Sequence, residues 1–370
     1  MKYKECISVI CFYEADIGGH GAAEVTMSLY ESLNIKKFFF QIKKNSIFKY
    51  LEKYQLNYFE HIYKLFYVFI LAFKFISKTK KYEKITVIVE GASWIGYSYL
   101  IIKIIKFFNK NIKIIYHSHN IEYILRKKKN NFIISFLSKI IEKKLYNLCN
   151  VGTAVSKDDA EKLKKLYNTK SIIFENCINK KRLKIKKFLK PYPKNFIIYP
   201  GNYSYEPNKL AIDLLINTIF PKILKKHQNI KLVLTGSDFP IDKSKQFDFI
   251  NHYPNLKKNE LNFLINKSMF LLIPITQGFG TKLKIIESLM IGALIISSRK
   301  GMIGIRRNKT KVPFVFSNYK EMYSQIDLAI KKNFQYKVLA RSSINFYKQN
   351  YLMENQLKNF LRKLNEKKIR

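Results

Sequence analysis

Residues 275–297 read ITQGFGTKLKIIESLMIGALIIS. The apolar run MFLLIPI (269–275) leads into them and predicts a buried strand. A glycine turn follows, with Phe279 between Gly278 and Gly280. From Thr281 to Gly292 the pattern is helical and carries Lys282, Lys284 and a single acid, Glu287. After Gly292 the run ALIISS predicts the next strand. Strand, glycine loop, helix and strand in that order make one unit of a parallel α/β sheet. A helix N-terminus presents unpaired N–H groups that favour an anion, and glycine lets a ligand approach the backbone. Lys282 and Lys284 could add charge there, and Glu287 could accept hydrogen bonds from sugar hydroxyls. A phosphate joined to a ribose fits this set. A plain strand-to-helix turn with solvated lysines fits it too.

The same alternation runs through the chain. CISVICFY (6–13), ITVIVE (85–90), IKIIYHS (112–118), NVGTAVS (150–156) and SIIFENCI (171–178) predict strands. GGHGAAEVTMSLYESL (18–33) predicts a glycine loop feeding a helix, and KDDAEKLKKLY (157–167) a helix capped near Ser156. NFIISFLSKIIEKKLYNLC (131–149) predicts another helix. KKRLKIKKFLKPYPKN (180–195) breaks the pattern with its basic charge and two prolines, and is expected to link two domains. The alternation then restarts at NFIIYPGNYS (195–204), and Pro221 marks a kink or break in the helix over 209–227. The expected division is 1–185, 186–345 and a terminal helix over 346–370. Ligands of open α/β sheets sit at the carboxyl ends of the strands, so the loops there are the candidate site.

The chain has 370 residues, enough for two cores. Its four cysteines have no paired spacing, which excludes a disulfide framework and points to a reducing compartment. Lys and Arg number 68 against 26 Asp and Glu, for a net charge of +42. Nucleic acid, an anionic membrane surface, or AT-rich codons that favour Lys, Ile and Asn would each account for this. The chain has no basic recognition helix or RNA-binding aromatic motif, so no nucleic-acid partner is expected. The apolar stretches 65–77 and 95–108 carry lysines and are too short to cross a bilayer, but their Lys-plus-aromatic composition suits an interfacial surface.

Five segments in one order resemble a known family. GTKLKIIESLMIGALIIS is similar to the nucleotide-sugar segment of retaining GT-B glycosyltransferases, family 4 above all. GGHGAAEVTMSLYESL, SHNIEYILRKK, TAVSKDDAEKL and YPGNYSYEPNKLAIDLLINTIFPKIL resemble further segments of that family. The resemblance covers about residues 5 to 305. It implies the GT-B fold: two Rossmann-like α/β domains whose parallel sheets face across a cleft, with a C-terminal helix crossing back to the first domain. It implies a retaining, metal-independent, hexosyltransferase-like enzyme using a UDP- or GDP-type sugar as substrate, with no cofactor. The expected acceptor is a glycan or lipid-linked glycan in bacterial surface-polysaccharide synthesis. The expected place is the cytoplasm, peripheral on the inner face of the membrane.

The resemblance also assigns residues. Gly18 and Gly19 would approach the donor diphosphate, Lys282 would contact phosphate, Glu287 would bind the ribose, and His119 would lie near the transferred sugar. Asn208, Gly236, Gly278, Phe279, Gly280 and Thr281 complete the expected donor site, with His20 and Glu122 on the acceptor side. Glu122 could equally pair with Arg126. Phe279 stands where many relatives carry a glutamate that contacts the sugar, so sugar identity does not carry over. An epimerase of the same fold and a basic nucleic-acid-binding protein are the alternative functions.

Overall fold

The structure is a computed structural model that describes residues 3–15, 21–43, 46, 48, 50, 57–128, 132–278, 280–306 and 313–366. It divides into two compact units, Met1–Asn179 with Gln356–Arg370, and Lys180–Asn355.

The first unit holds a six-stranded sheet. Its strands are β1 (Tyr3–Cys11), β2 (Lys37–Gln41), β3 (Tyr82–Glu90), β4 (Lys113–His117), β5 (Val151–Ala154) and β6 (Ile172–Ile173). Their order is β2-β1-β3-β4-β5-β6, and every pairing is parallel. Val9, Ile10, Val87, Val89 and Ile114 are buried, as expected of strands covered on both faces. Ser156 caps the helix Lys157–Tyr167, its Oγ accepting from the Asp159 N–H at 3.1 Å. The helix Met353–Glu366 places Leu357, Phe360 and Leu364 in the core, and the Phe360 ring lies 4.8 Å from that of Phe174.

The second unit also has six parallel strands: β7 (Phe196–Pro200), β8 (Lys231–Thr235), β9 (Ile250–Tyr253), β10 (Leu271–Ile273), β11 (Ile295–Ser298) and β12 (Phe314–Phe316). Their order is β12-β11-β10-β7-β8-β9. The stretch 180–195 groups with this unit: Asn262 Nδ2 donates to the Lys184 carbonyl at 3.1 Å, Tyr253 Oη donates to the Pro191 carbonyl at 2.7 Å, and Phe188 is buried. The helix Ser343–Asn350 groups with it as well. At Pro221 the helix does not break. A π turn over Leu215–Ile219 precedes the proline, with the Phe220 N–H donating to the Leu215 carbonyl. The wider turn accommodates a ring that has no N–H to donate.

The strand order of each sheet reverses once, beside β1 in the first unit and between β7 and β10 in the second. Such reversals open a crevice at the carboxyl edge of a sheet.

Candidate active site

At the second unit's reversal, two loops meet. One follows β7 and contains Gly201 and Asn202; the other follows β10 and runs into the helix Leu283–Ile291. Lys284, in that helix's first turn, donates from Nζ to Asn208 Oδ1 at 3.0 Å. The same oxygen accepts from Tyr199 Oη at 2.9 Å, while Asn208 Nδ2 donates to the Asn202 carbonyl at 3.0 Å. The Lys284 ammonium also sits 4.2 Å from the centre of the fully buried Tyr199 ring. The Asn208 amide is thereby committed to tying both loops together and to aiming Lys284. Lys282 is buried, and its Nζ donates to the Gly280 carbonyl at 2.9 Å. Gly278 adopts φ +113, and a side chain there would press within 3.2 Å of Pro207. Gly236, at φ +115 after β8, would with a Cβ come within 2.6 Å of the Gly201 backbone. The Thr281 hydroxyl is buried with no hydrogen-bond partner among the described residues.

The two ammonium groups, buried Lys282 and half-buried Lys284, repel each other. Burial pulls Lys282 down to about 8, and Lys300 adds to the effect. Burial pulls Lys284 down to about 7, with Lys282 acting in the same direction and Glu287 against it. Glu287 is buried and ion-paired with Lys258 Nζ, so its carboxylate is held in place from a second helix, Lys258–Lys267. An anion brought to this loop would relieve the repulsion between the lysines. A cavity of about 420 Å³ opens further along the same edge, beyond β10, β11 and β12, lined by Thr276, Ser298, Lys300 and Tyr319 among others. It does not include Lys282, Lys284 or Glu287.

The first unit carries a separate cluster at the carboxyl ends of β3 and β4. Glu90 is fully buried. Its Oε2 lies 2.5 Å from His119 Nε2, and His117 Nδ1 is 3.1 Å from both of its oxygens. Burial pushes the Glu90 carboxyl up, but His117 and the two imidazole hydrogen bonds outweigh it and hold the group down to about 2. Burial lowers His119, opposed by its bond to Glu90. His117 Nε2 is buried without a partner among the described residues. One carboxylate and two imidazoles, with donor atoms within 4.8 Å of one another, are a ligand set that zinc accepts. In this structure the three groups bond to one another. Arg126 Nε donates to Glu122 Oε1 at 2.5 Å, the pairing the sequence offered beside an acceptor role.

Among the assigned residues, Asn208, Gly278, Gly280, Thr281, Lys282 and Glu287 gather around the second unit's reversal, with Gly236 behind them. His119 and Glu122 belong to the first unit. Gly18, Gly19, His20 and Phe279 lie outside the described residues. Sequence reasoning passed over Glu90, His117 and Lys258, and treated Lys284 as added charge only. An acid closing the buried run ITVIVE was the available signal for Glu90, since a charge at the end of a covered strand needs a partner.

Residues 194–331 match the family model described as Glycosyl transferases group 1. The matched stretch lies in the second unit, and the two parallel six-stranded sheets are those of the GT-B fold. Solved structures share the architecture along almost the whole chain. Sucrose-phosphate synthase from Thermosynechococcus elongatus aligns with a TM-score of 0.72 at 12% identity, covering 98% of this chain and 99% of that one. Anabaena HepE in complex with UDP and glucose aligns at 0.66 with 11% identity, covering 97% and 99%. The trehalose-6-phosphate synthase OtsA aligns at 0.71 with 9% identity, covering 98% and 100%. At these identities the likeness is one of fold. No curated protein matches the sequence.

Proposed function

We propose that this chain transfers a sugar from a nucleoside-diphosphate sugar to a hydroxyl of a glycan or lipid-linked glycan, with retention at the anomeric carbon and without a metal. The observation that carries the reading is the pair of lysines where the loop after β10 enters its helix, the buried Lys282 and the half-buried Lys284, with Glu287 one turn further along. The UDP and glucose held by Anabaena HepE, of the same fold, support a UDP-type donor. In the reaction the bond from the anomeric carbon to the phosphate oxygen breaks, and its electron pair stays on the diphosphate. Lys282, Lys284 and the first turn of the helix Leu283–Ile291 stabilise that growing charge. The acceptor oxygen bonds to the anomeric carbon from the same side, and its proton passes to the departing phosphate oxygen. Glu287 receives the ribose hydroxyls, and Asn208 holds Lys284 in position. Gly18 and Gly19 serve the diphosphate and His119 the transferred sugar. The acceptor belongs to surface-polysaccharide synthesis at the inner face of the cytoplasmic membrane. None of the described helices is long and apolar enough to cross a membrane.

Nucleotide binding tests this first. UDP, GDP, CMP and ADP are each added and the melting temperature followed. One nucleotide, at about 100 times its dissociation constant, stabilises the fold by roughly 2.7 kcal/mol. No shift with any of them refutes the donor reading. The same complex has a pH signature. Before the nucleotide binds, Lys282 and Lys284 titrate at about 8 and about 7, and a bound diphosphate raises both. Binding therefore takes up protons, and affinity rises as pH falls from about 9 to 7, by about tenfold for each unit by which a lysine is raised. Calorimetry in two buffers of different ionisation enthalpy reads the uptake directly, and a flat profile would remove the lysines from the site.

A further inference from the structure

Helix Phe132–Leu148 of the first unit carries apolar side chains on both faces. Its buried side holds Leu145 and Tyr146 together with Ser135, Ser138 and Glu142. Its first turns show Phe132, Ile133, Phe136 and Leu137 to solvent, with Phe132 81% exposed. The inward acid has a structural role. The Glu142 carboxylate accepts from the Glu122 and Tyr123 N–H groups and from Tyr167 Oη, so it caps the helix Glu122–Lys128. Nothing within the described fold accounts for the outward aromatics.

They are not isolated. Helix Ile95–Phe108 packs against Phe132–Leu148 on one side and against Asn57–Thr79 on the other, and the Lys106 ammonium donates to the Leu148 carbonyl. On Asn57–Thr79, Phe59, Ile62, Phe66, Phe69 and Phe73 are all exposed. Their spacing of three and four residues forms one stripe, about 21 Å long at about 1.5 Å per residue. Phe73 and Phe108 meet edge to face at 5.7 Å, which joins the stripe to Phe107 and Phe108 on the middle helix. Three neighbouring helices thus share an apolar outer face far beyond the scattered surface hydrophobics of an ordinary monomer.

The charges around that face have one sign. Lys74, Lys78, Lys103, Lys139, Lys143 and Lys144 are exposed on the three helices. Their acids are Glu60, ion-paired with Lys64 at 2.6 Å, and the buried Glu142. A protein partner would need a large acidic and apolar surface to match. An anionic lipid bilayer supplies both at once, with headgroups for the lysines and the acyl boundary for the phenylalanines. We infer that the outer face of helices 57–79, 95–108 and 132–148 docks on an anionic bilayer surface. This deepens the membrane reading above and rests on it for its biological sense, while the binding itself needs no transfer activity.

The test is sedimentation of the full chain with phosphatidylcholine vesicles, plain or containing one third phosphatidylglycerol, at low and half-molar salt. The chain binds the anionic vesicles about tenfold or more tighter than the neutral ones, and salt weakens the binding. The double variant Phe66→Gln, Phe136→Gln loses about tenfold or more in partitioning. Both side chains are exposed, so its melting temperature and its response to UDP match those of the parent. A parent chain that stays in the supernatant at low salt overturns the inference, and so does a folded variant that binds as well as the parent. A stable parent dimer that this variant dissolves would assign the face to a second copy instead. In each of these cases an intact UDP response leaves the transferase reading standing.

Discussion

Lys282→Ala lowers kcat/KM by about 100- to 1,000-fold, the usual effect of removing one preorganised partner of a developing charge. The Lys282 ammonium is buried next to the glycine turn, where few waters compete with it, so a diphosphate there feels its charge strongly. Lys284 cannot replace it, because Asn208 and the Tyr199 ring hold that side chain toward β7. The variant also reports on the coupling between the two cations. Without Lys282 beside it, Lys284 loses one of the influences that pull it down to about 7, so the residual activity persists to higher pH than in the parent. Lys225→Ala serves as the control: Lys225 is exposed beyond the helix Phe220–Leu224, and its loss changes kcat/KM little. Full turnover in Lys282→Ala, or activity abolished by a chelator in the parent, would sink the mechanism.

Glu90→Ala destabilises the first unit by about 3–5 kcal/mol, because it strips a fully buried carboxylate from two buried imidazoles and leaves both without their partner. Denaturant unfolding measures this directly. The UDP response of the second unit should persist at temperatures where the variant is still folded, which separates loss of fold from loss of site. The pH dependence has a definite sign. Glu90 is held at about 2 against an ordinary 4.5, so its contribution is complete above 4.5 and drains away as pH falls toward 2. His119 is lowered from 6.5, so the unfolded chain takes up its proton first and stability falls as pH drops below that value. Both effects weaken the parent in acid; Glu90→Ala removes the first and deepens the second, because Glu90 is the group that opposes the burial of His119. Equal acid sensitivity in parent and variant would show that the cluster does not govern it.

Much of this molecule is written locally. The runs CISVICFY, ITVIVE and MFLLIPI become β1, β3 and β10 because short, continuous apolar segments bury both faces of a parallel strand. The glycine turn before Lys282 falls at a sheet's carboxyl edge because strand, loop and helix follow in that order. Other expectations depended on packing. Pro221 was expected to kink or break its helix, and the helix runs on through it by way of a π turn. The segment 180–195, with its prolines and charges, resembled a linker but is bound along its length to the second unit.

The sequence by itself therefore determined the α/β class, the alternation of elements, and the identity of the loop that carries Lys282 and Glu287, since those follow from periodicity and turn chemistry over a few residues. Tertiary structure alone decided which side chains meet. Lys284 reaches Asn208 across 76 positions because the strand order brings β7 beside β10. Glu90 meets His119 across 29 because β3 and β4 pair in parallel and end together. Tertiary structure also decided which face of helix 132–148 turns inward. That face buries Ser135, Ser138 and Glu142 beside Leu145 and Tyr146, and the Glu142 carboxylate caps a neighbouring helix that no periodicity in the helix itself records.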